Sequence, residues 1–311
     1  MELSLPERKV LTLLEEDGRL PAKQIAKKVR LSPEGVIRMM ERLRERGVIV
    51  RYSTKVDYAR MGYVMYPVHI KLLRRNEQVI RAIRKTIPRH HTCAWYTFAE
   101  GEYDLLLSFK IASESDTCDM AGLLDELSDH IQEKDVSIVL HAFEIGKSFV
   151  DTGHPQKLFA TFSHELEAAR LSDEEVRLIN CMRSDSRRTM LDLSREVGMS
   201  ARAVSSRVKR LKEGRVISGF KTKVNMARLG YQPCIAFLKL GRHGKKEMNT
   251  FMTYCRYRKG INYLVQQIGM YDIGLTIDVA DINDFYVLMD EMRDRFPFII
   301  KITTMIAKES W

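Results

Sequence analysis

The sequence predicts an α+β protein in which two helical heads alternate with two mixed strand–helix domains. Three observations predict it. The 311-residue chain repeats itself. Each repeat opens with three short amphipathic segments and a β-rich run. Each then continues in the order strand, helix, strand, strand, helix, strand.

The repeat holds without a gap. Gly62-Tyr63 falls on Gly230-Tyr231, a displacement of 168 positions. The same displacement carries Leu3-Ser4 to Leu171-Ser172, Asp17 and Arg19 to Asp185 and Arg187, and Val48-Ile49 to Val216-Ile217. It also carries Gly101-Glu102-Tyr103-Asp104 to Gly269-Met270-Tyr271-Asp272. Such a register means a unit of roughly 140 residues, too long for a solenoid repeat. A duplication of that size is a covalently tied pseudo-dimer, and proteins that read two-fold sites are usually dimers.

In the first repeat, Pro6 opens a helix where its missing N–H costs little. Val10, Leu11, Leu13 and Leu14 make its apolar stripe, and Asp17-Gly18 ends it. Pro21 starts a second helix with Ile25, Ala26 and Val29 inward. Ser32 caps the third helix and Pro33 takes its first turn. Val36, Met39, Met40 and Leu43 recur there at helical spacing until Gly47. Residues 48–56 are β-rich and long enough for a two-stranded wing. The second repeat carries the same signals over 171–214 and 216–224, with Ser200 in the place of Ser32. Three helices and a β-ribbon make a winged helix-turn-helix.

Strands at 64–72, 92–99, 103–111 and 136–143, with helices at 77–86 and 120–131, follow the first head. That order is the ferredoxin-like split βαβ, βαββαβ. The second repeat gives 233–240, 246–257, 262–268, 271–279, 282–295 and 300–307. The apolar strand residues Val68, Ile70, Leu107 and Phe109, and Ile235, Phe237, Leu275 and Ile277, form faces that need covering, which predicts pairing of the two sheets. Gly153 and Pro155 mark a linker. The expected domains are 1–60 and 171–229 (heads), 61–145 and 230–311 (ferredoxin-like), joined by a linker at 146–170.

Composition narrows the function. Hydrophobic residues at 45% supply ordinary cores, and the net charge of +10 favours an anionic partner, nucleic acid first. The five cysteines are odd in number, scattered and without a CxxC pair, which excludes a disulfide framework and a zinc site. His90-His91 before Cys93 lacks further ligands. Residues after Met1 do not read as a signal peptide, and no apolar run reaches the about 18 residues of a membrane span. A cytoplasmic protein with no membrane partner, no metal and no cofactor is the expectation.

The third helix of each head would enter the major groove, its N-terminal residues at base edges. Pro33, Glu34, Ile37, Arg38 and Glu41 point outward in the first head, and Ala201, Arg202, Ser205, Ser206 and Lys209 in the second, with Arg210 following. Arg51, Lys55, Lys221 and Lys223 of the wings would meet phosphates. Arg202, Arg207, Lys209, Arg210, Lys212 and Arg215 face one acid, Glu213, whereas Glu34, Glu41 and Glu45 nearly balance the arginines of the first head. Phosphate neutralisation dominates affinity, so the second head should bind DNA more strongly.

Val204, Arg207-Val208, Leu211, Val216-Ile217-Ser218-Gly219-Phe220 and Leu229-Gly230-Tyr231, with the two Gly-x-Tyr-Asp turns, make the chain resemble two fused copies of the Lrp/AsnC (feast/famine) regulators. That resemblance implies a sequence-specific DNA-binding transcriptional regulator, not an enzyme, with double-stranded DNA as partner. It implies ferredoxin-like domains of the RAM type that pair through their sheets and build a homo-oligomer. It also implies a small effector, often an amino acid, near Gly101, Tyr103 and Asp104 and near Gly269, Tyr271 and Asp272. Departures are Met39 where the family has an Arg, aligned with Arg207, Arg51 opposite Gly219, and Gly274 opposite Leu106. They make the first head the weaker DNA reader and the two effector sites unequal. Two alternatives remain open. Sirohaem decarboxylases are similar in fold, with Arg81, Arg89, His90 and His91 as pocket candidates, although 92–99 lacks their His-Asn-Tyr-x-Arg stretch. A non-specific DNA-packing protein is the other.

Overall fold

The computed structural model describes residues 2–150, 154–164 and 167–310. The first head comprises α1 (Leu5–Glu16), α2 (Ala22–Val29), α3 (Pro33–Glu45) and β1 (Ile49–Val56). The first ferredoxin-like domain follows with β2 (Val64–Leu72), α4 (Glu77–Thr86), β3 (Cys93–Gly101), β4 (Leu105–Ile111), α5 (Glu114–Glu126) and β5 (Ile131–Val136). Then come β6 (Ile138–Ile145) and β7 (Leu158–Ser163). The second head is α6 (Asp173–Ser184), α7 (Met190–Val197), α8 (Ala201–Glu213) and β8 (Ile217–Val224). Its ferredoxin-like domain is β9 (Gln232–Leu240), α9 (Lys245–Tyr257), β10 (Ile261–Ile268), β11 (Ile273–Val279), α10 (Ile282–Arg295) and β12 (Ile299–Ser310).

Polar caps set the helix starts. Ser4 and Glu7 form a capping box at α1, as Ser172 and Glu175 do at α6. Ser32 accepts the Gly35 N–H at 3.0 Å, and Ser200 the Ala203 N–H at 3.2 Å. Each head then closes on its own core, Val10, Leu11, Leu14, Ile25, Val36 and Leu43 in the first, Leu178, Ile179, Met182, Leu193, Val204 and Leu211 in the second.

The expected two-stranded wing within each head does not form. Residues 49–56 are a single strand, and β1 pairs antiparallel with β8 of the other head, Tyr52 opposite Thr222 and Thr54 opposite Phe220. A hairpin folded from so short a run would be marginal, whereas the copy offers a full-length partner. The bonds around the ribbon come in reciprocal pairs. The Thr54 hydroxyl donates to the Met182 carbonyl at 2.8 Å, and the Thr222 hydroxyl to the Leu14 carbonyl at 3.0 Å. Gly18 N–H donates to Phe220 O and Ser186 N–H to Tyr52 O, both at 2.9 Å. Arg19 lies over the Phe220 ring and Arg187 over the Tyr52 ring. Every one of these contacts maps onto its mate by the displacement seen in the sequence.

The ferredoxin-like domains exchange strands in the same way. Their orders are β5-β2-β4-β3 and β12-β9-β11-β10, joined in one ten-stranded sheet. β12 pairs with β9 along its first half and with β3 of the first domain along its second. Reciprocally, β5 pairs with β2 and, one residue on, β6 pairs with β10. The two sheets therefore pair within one chain. Their contact is built from Ala99, Tyr103 and Leu106 against Ile235, Phe237, Tyr271 and Met305. Ring centroids run Tyr103–His69 5.3 Å, His69–Phe237 4.3 Å and Phe237–Tyr271 5.2 Å. Burial pushes His69 down to about 4, so it packs as a neutral ring. The expected contact set needs correction. Val68, Ile70, Leu107 and Phe109 point instead toward α4 and α5, and Leu275 and Ile277 toward α9 and α10. A strand alternates faces, and the more apolar face here is the one the helices cover.

The expected linker is also ordered in part. β7 pairs with β6, Phe143 opposite Ala160. Phe159 is buried with its ring against Gly219, where an added Cβ would come within 2.5 Å. Gly153 lies outside the described residues.

Heads and sheet meet at a buried charge cluster. The Lys221 ammonium is 3.1 Å from Glu15 of α1, 3.0 Å from Glu144 of β6, and donates to the Ile145 carbonyl. Lys55 reaches the other oxygen of Glu144 at 2.5 Å. Lys221 is 2% exposed, so it cannot serve a phosphate, and Lys55 is spent on Glu144. Both are withdrawn from the expected DNA contacts, because inward strand positions face the sheet. Burial would lower Lys221, but Glu144 and Glu15 raise it well above the usual range. Burial raises Glu144, yet the pull of Lys221 and Lys55 wins and holds it at about 2. Its folded-state value is depressed, so its stabilisation is present above the ordinary glutamate range near pH 4.3 and is lost as pH falls through about 2. Acid titration followed by circular dichroism should show that loss. Lys221→Met should cost about 3–5 kcal/mol in chemical denaturation, because it leaves two carboxylates facing each other.

Candidate nucleic-acid interface

In α8, burial of Val204, Val208 and Leu211 turns the opposite face to solvent. Arg202, Ser205, Ser206, Lys209 and Arg210 all lie on that exposed side, the first four within the N-terminal three turns. Two cations and two hydroxyls there match base edges and phosphate oxygens. Arg210 makes an ion pair with Glu175, whose carboxylate is buried. Lys209 makes only a loose pair with Glu213 at 3.8 Å, both side chains exposed.

α3 presents Pro33 half-buried and Ile37 and Arg38 exposed, flanked by the exposed Glu34, Glu41 and Glu45. Met39 is 8% exposed and belongs to the core of the head. At the matching position Arg207 stays half-exposed and donates to the Ser172 hydroxyl at 3.1 Å. The first recognition helix has therefore lost a surface cation to packing. On the shared ribbon, Arg51 and Lys223 are exposed and directly opposite each other. Burial of its stem, then Arg51 and Lys55, lower Lys223. These two are the exposed cations of the ribbon.

The Gly-x-Tyr-Asp turns lie where the copies cross. Gly101, at φ +146°, has no room for a Cβ, which would lie 2.8 Å from the Thr304 carbonyl of the other copy, and Gly269 packs likewise against Ser137. Tyr103 donates to Asp135, and the Tyr271 hydroxyl is 2.9 Å from Thr303. Asp104 accepts the Leu72 N–H at 3.0 Å and faces Lys71 at 3.3 Å. Asp272 accepts the Leu240 N–H at 2.7 Å and faces Lys239 at 3.3 Å. Both carboxylates join a turn to the neighbouring strand, and an incoming ammonium would have to displace a lysine.

His90 and His91 do not converge on the sheet interface. His90 lies 3.1 Å from Asp119 and 3.3 Å from Glu126, and His91 lies 3.1 Å from Asp116. Arg89 pairs with Glu126 and Arg81 with Glu77. No group of three or more potential ligands able to hold a metal occurs among the described residues. Nor is any helix among them long and apolar enough to cross a membrane. Sequence reasoning missed the Lys221 cluster; the signal was Glu15 on an otherwise apolar helix face.

Paired heads of this build define a winged helix-turn-helix DNA-binding protein. A winged helix-turn-helix DNA-binding model matches residues 5–50, and an AsnC-type helix-turn-helix model matches residues 173–212. An uncharacterised HTH-type transcriptional regulator of Pyrococcus furiosus is 33% identical over 118 residues, 37% of this chain and 77% of the relative. The proline dehydrogenase transcriptional activator of Rhizobium radiobacter is 27% identical over 138 residues, 44% of this chain and 88% of the relative. The chain belongs to the Lrp/AsnC family of HTH-type transcriptional regulators. In overall fold it is similar to the siroheme decarboxylase NirDL, with a TM-score of 0.65 at 12% identity over 98% of this chain and 91% of that one.

Arg210→Ala should lower both DNA affinity and the melting temperature, since it strands the buried Glu175 carboxylate. Lys209→Ala should lower affinity alone. Thermal denaturation beside fluorescence anisotropy checks both.

Proposed function

We propose that one chain supplies both halves of an Lrp/AsnC-type DNA-binding dimer and regulates transcription as a covalent pseudo-dimer. The observation that carries this reading is the β1–β8 ribbon, which holds α3 and α8 in one unit with their N-terminal faces exposed. The units are heads at 1–60 and 171–229 and ferredoxin-like domains at 61–145 and 230–311. The sheet face through which a homo-oligomer was expected is already covered within the chain, so further association is not needed to complete the DNA-binding unit. The contact residues are Arg202, Ser205, Ser206, Lys209 and Arg210 of α8, Pro33, Ile37 and Arg38 of α3, and Arg51 and Lys223 of the ribbon. An amino-acid effector at the Gly-x-Tyr-Asp turns would have to displace Lys71 from Asp104 or Lys239 from Asp272.

The whole-length likeness to a siroheme decarboxylase favours one second reading, tetrapyrrole chemistry. It is a likeness of fold, and the histidine and arginine candidates are held by carboxylates away from the sheet interface. Titration with an iron tetrapyrrole while recording the visible spectrum tests it: an unchanged Soret band removes this reading.

DNA fragments selected by the purified chain would supply the operator. On that fragment, Arg202→Ala with Lys209→Ala should weaken binding by tenfold or more, roughly the loss of two charged contacts. Ile37→Ala with Arg38→Ala should cost about threefold or less. Affinity should fall steeply and linearly in log–log form with salt. Equal losses from the two double variants would overturn the asymmetry, and no retained fragment would overturn sequence-specific binding.

A further inference from the structure

The second ferredoxin-like domain carries a groove on its outer, helical side, away from the Tyr103–Tyr271 contact between sheets. It is lined by Lys245, Lys246, Tyr254, Tyr257, Arg258 and Arg295, with a cavity of about 910 Å³. That volume is at the upper end of ordinary small-molecule sites, about 300–1,000 Å³. Lys245 and Lys246 stand on the first turn of α9, Arg258 just beyond its end, and Arg295 on the last turn of α10. Glu291 is the one carboxylate among the lining residues and already pairs with Arg258. Among the described residues, no ion pair neutralises Lys245, Lys246 or Arg295.

Lys245, Lys246 and Arg295, three cations without an ion-pair partner, line one groove, and an anion bound there would relieve their mutual repulsion. The floor is aromatic. Arg295 lies 5.1 Å and Arg258 5.7 Å from the Tyr254 ring centroid. Tyr254 is 7% exposed, and its hydroxyl sits beside Glu291 and Arg258. Burial, with Glu291 alongside, raises that hydroxyl to about 12. At the rim Tyr257 leaves 54% of its surface in solvent, a ring face free for stacking.

The fold does not demand these residues. In the first copy the corresponding positions hold Glu77, Gln78, Thr86, Arg89, His90 and Leu127. The lysine pair, the two tyrosines and Arg295 have no counterpart of their kind in the first copy, which separates them from what the shared fold requires. We propose that this groove binds a phosphate-bearing small molecule with a planar aromatic group, of the nucleoside di- or triphosphate class. The phosphates would engage Lys245, Lys246 and Arg295, and the base would stack on Tyr257. This proposal is independent of which DNA the heads recognise.

The test is titration of the full chain with ATP, ADP and pyrophosphate by isothermal calorimetry at near-physiological salt. Saturable binding of ATP or ADP at one site per chain is expected, with pyrophosphate weaker by about tenfold because it cannot stack. Lys246→Ala with Arg295→Ala, both surface changes, should weaken the nucleotide by about tenfold or more at unchanged melting temperature. Tyr257→Ala should weaken the nucleotide and leave pyrophosphate unaffected. Arg202→Ala with Lys209→Ala should leave nucleotide binding intact. Absence of saturation up to about 1 mM would overturn the proposal. So would loss of binding in the head variant, which would place the anion on the DNA surface. Equal affinity for pyrophosphate would overturn the nucleotide class. Groove variants that weaken duplex DNA as much as head variants do would assign the groove to DNA phosphates.

Discussion

The antiparallel pairing of β1 with β8 is the constraint on which the rest depends. Each head ends in a strand with no partner of its own, and a bare strand edge of that length invites association with another chain. Here the edge is satisfied by the matching strand of the other head. That choice fixes the distance and orientation of the two recognition helices. It also turns inward the strand positions that hold Lys55 and Lys221, and so brings them to Glu144 on the sheet. The heads are tied to each other by backbone hydrogen bonds and to the sheet by charge.

Symmetry and its violations carry different information. The reciprocal bonds of Thr54 and Thr222, of Gly18 and Ser186, and of Arg19 and Arg187 are the parts that a pseudo-two-fold needs. Where the copies diverge, no such need operates. Lys221 has Ser53 as its counterpart, so the buried charge cluster exists on one side only. Met39 packs where Arg207 stays partly in solvent, and His69 meets Phe237, its own counterpart, near the centre of the sheet contact.

Much of this was legible from residues alone. Capping serines, prolines at helix starts and helical spacing located the three helices of each head, since these are local signals. The order of elements gave the ferredoxin-like domains. Partnership was not legible. Residues 48–56 read as strand, but a strand does not announce which other strand completes it, and the copy proved the better partner. The same blindness placed Val68 and Phe109 on the wrong side of the sheet and hid β7 inside an expected linker. Among candidate DNA contacts, alternation in β8 could not have separated Lys221 from Lys223, which are two residues apart and nominally on one face. Tertiary contact separates them: Glu15 and Glu144 enclose Lys221, while Lys223 stays exposed opposite Arg51.

The burial of Met39 has a consequence for orientation. A symmetric dimer can be turned about its axis on DNA and nothing changes. A chain whose two reading helices differ in charge and shape has a left and a right. Bound to a site with unequal halves, it lies in a single sense, so the groove on the second ferredoxin-like domain always faces the same flank. A duplicated, diverged polypeptide thereby gains polarity along the double helix, which identical subunits cannot encode.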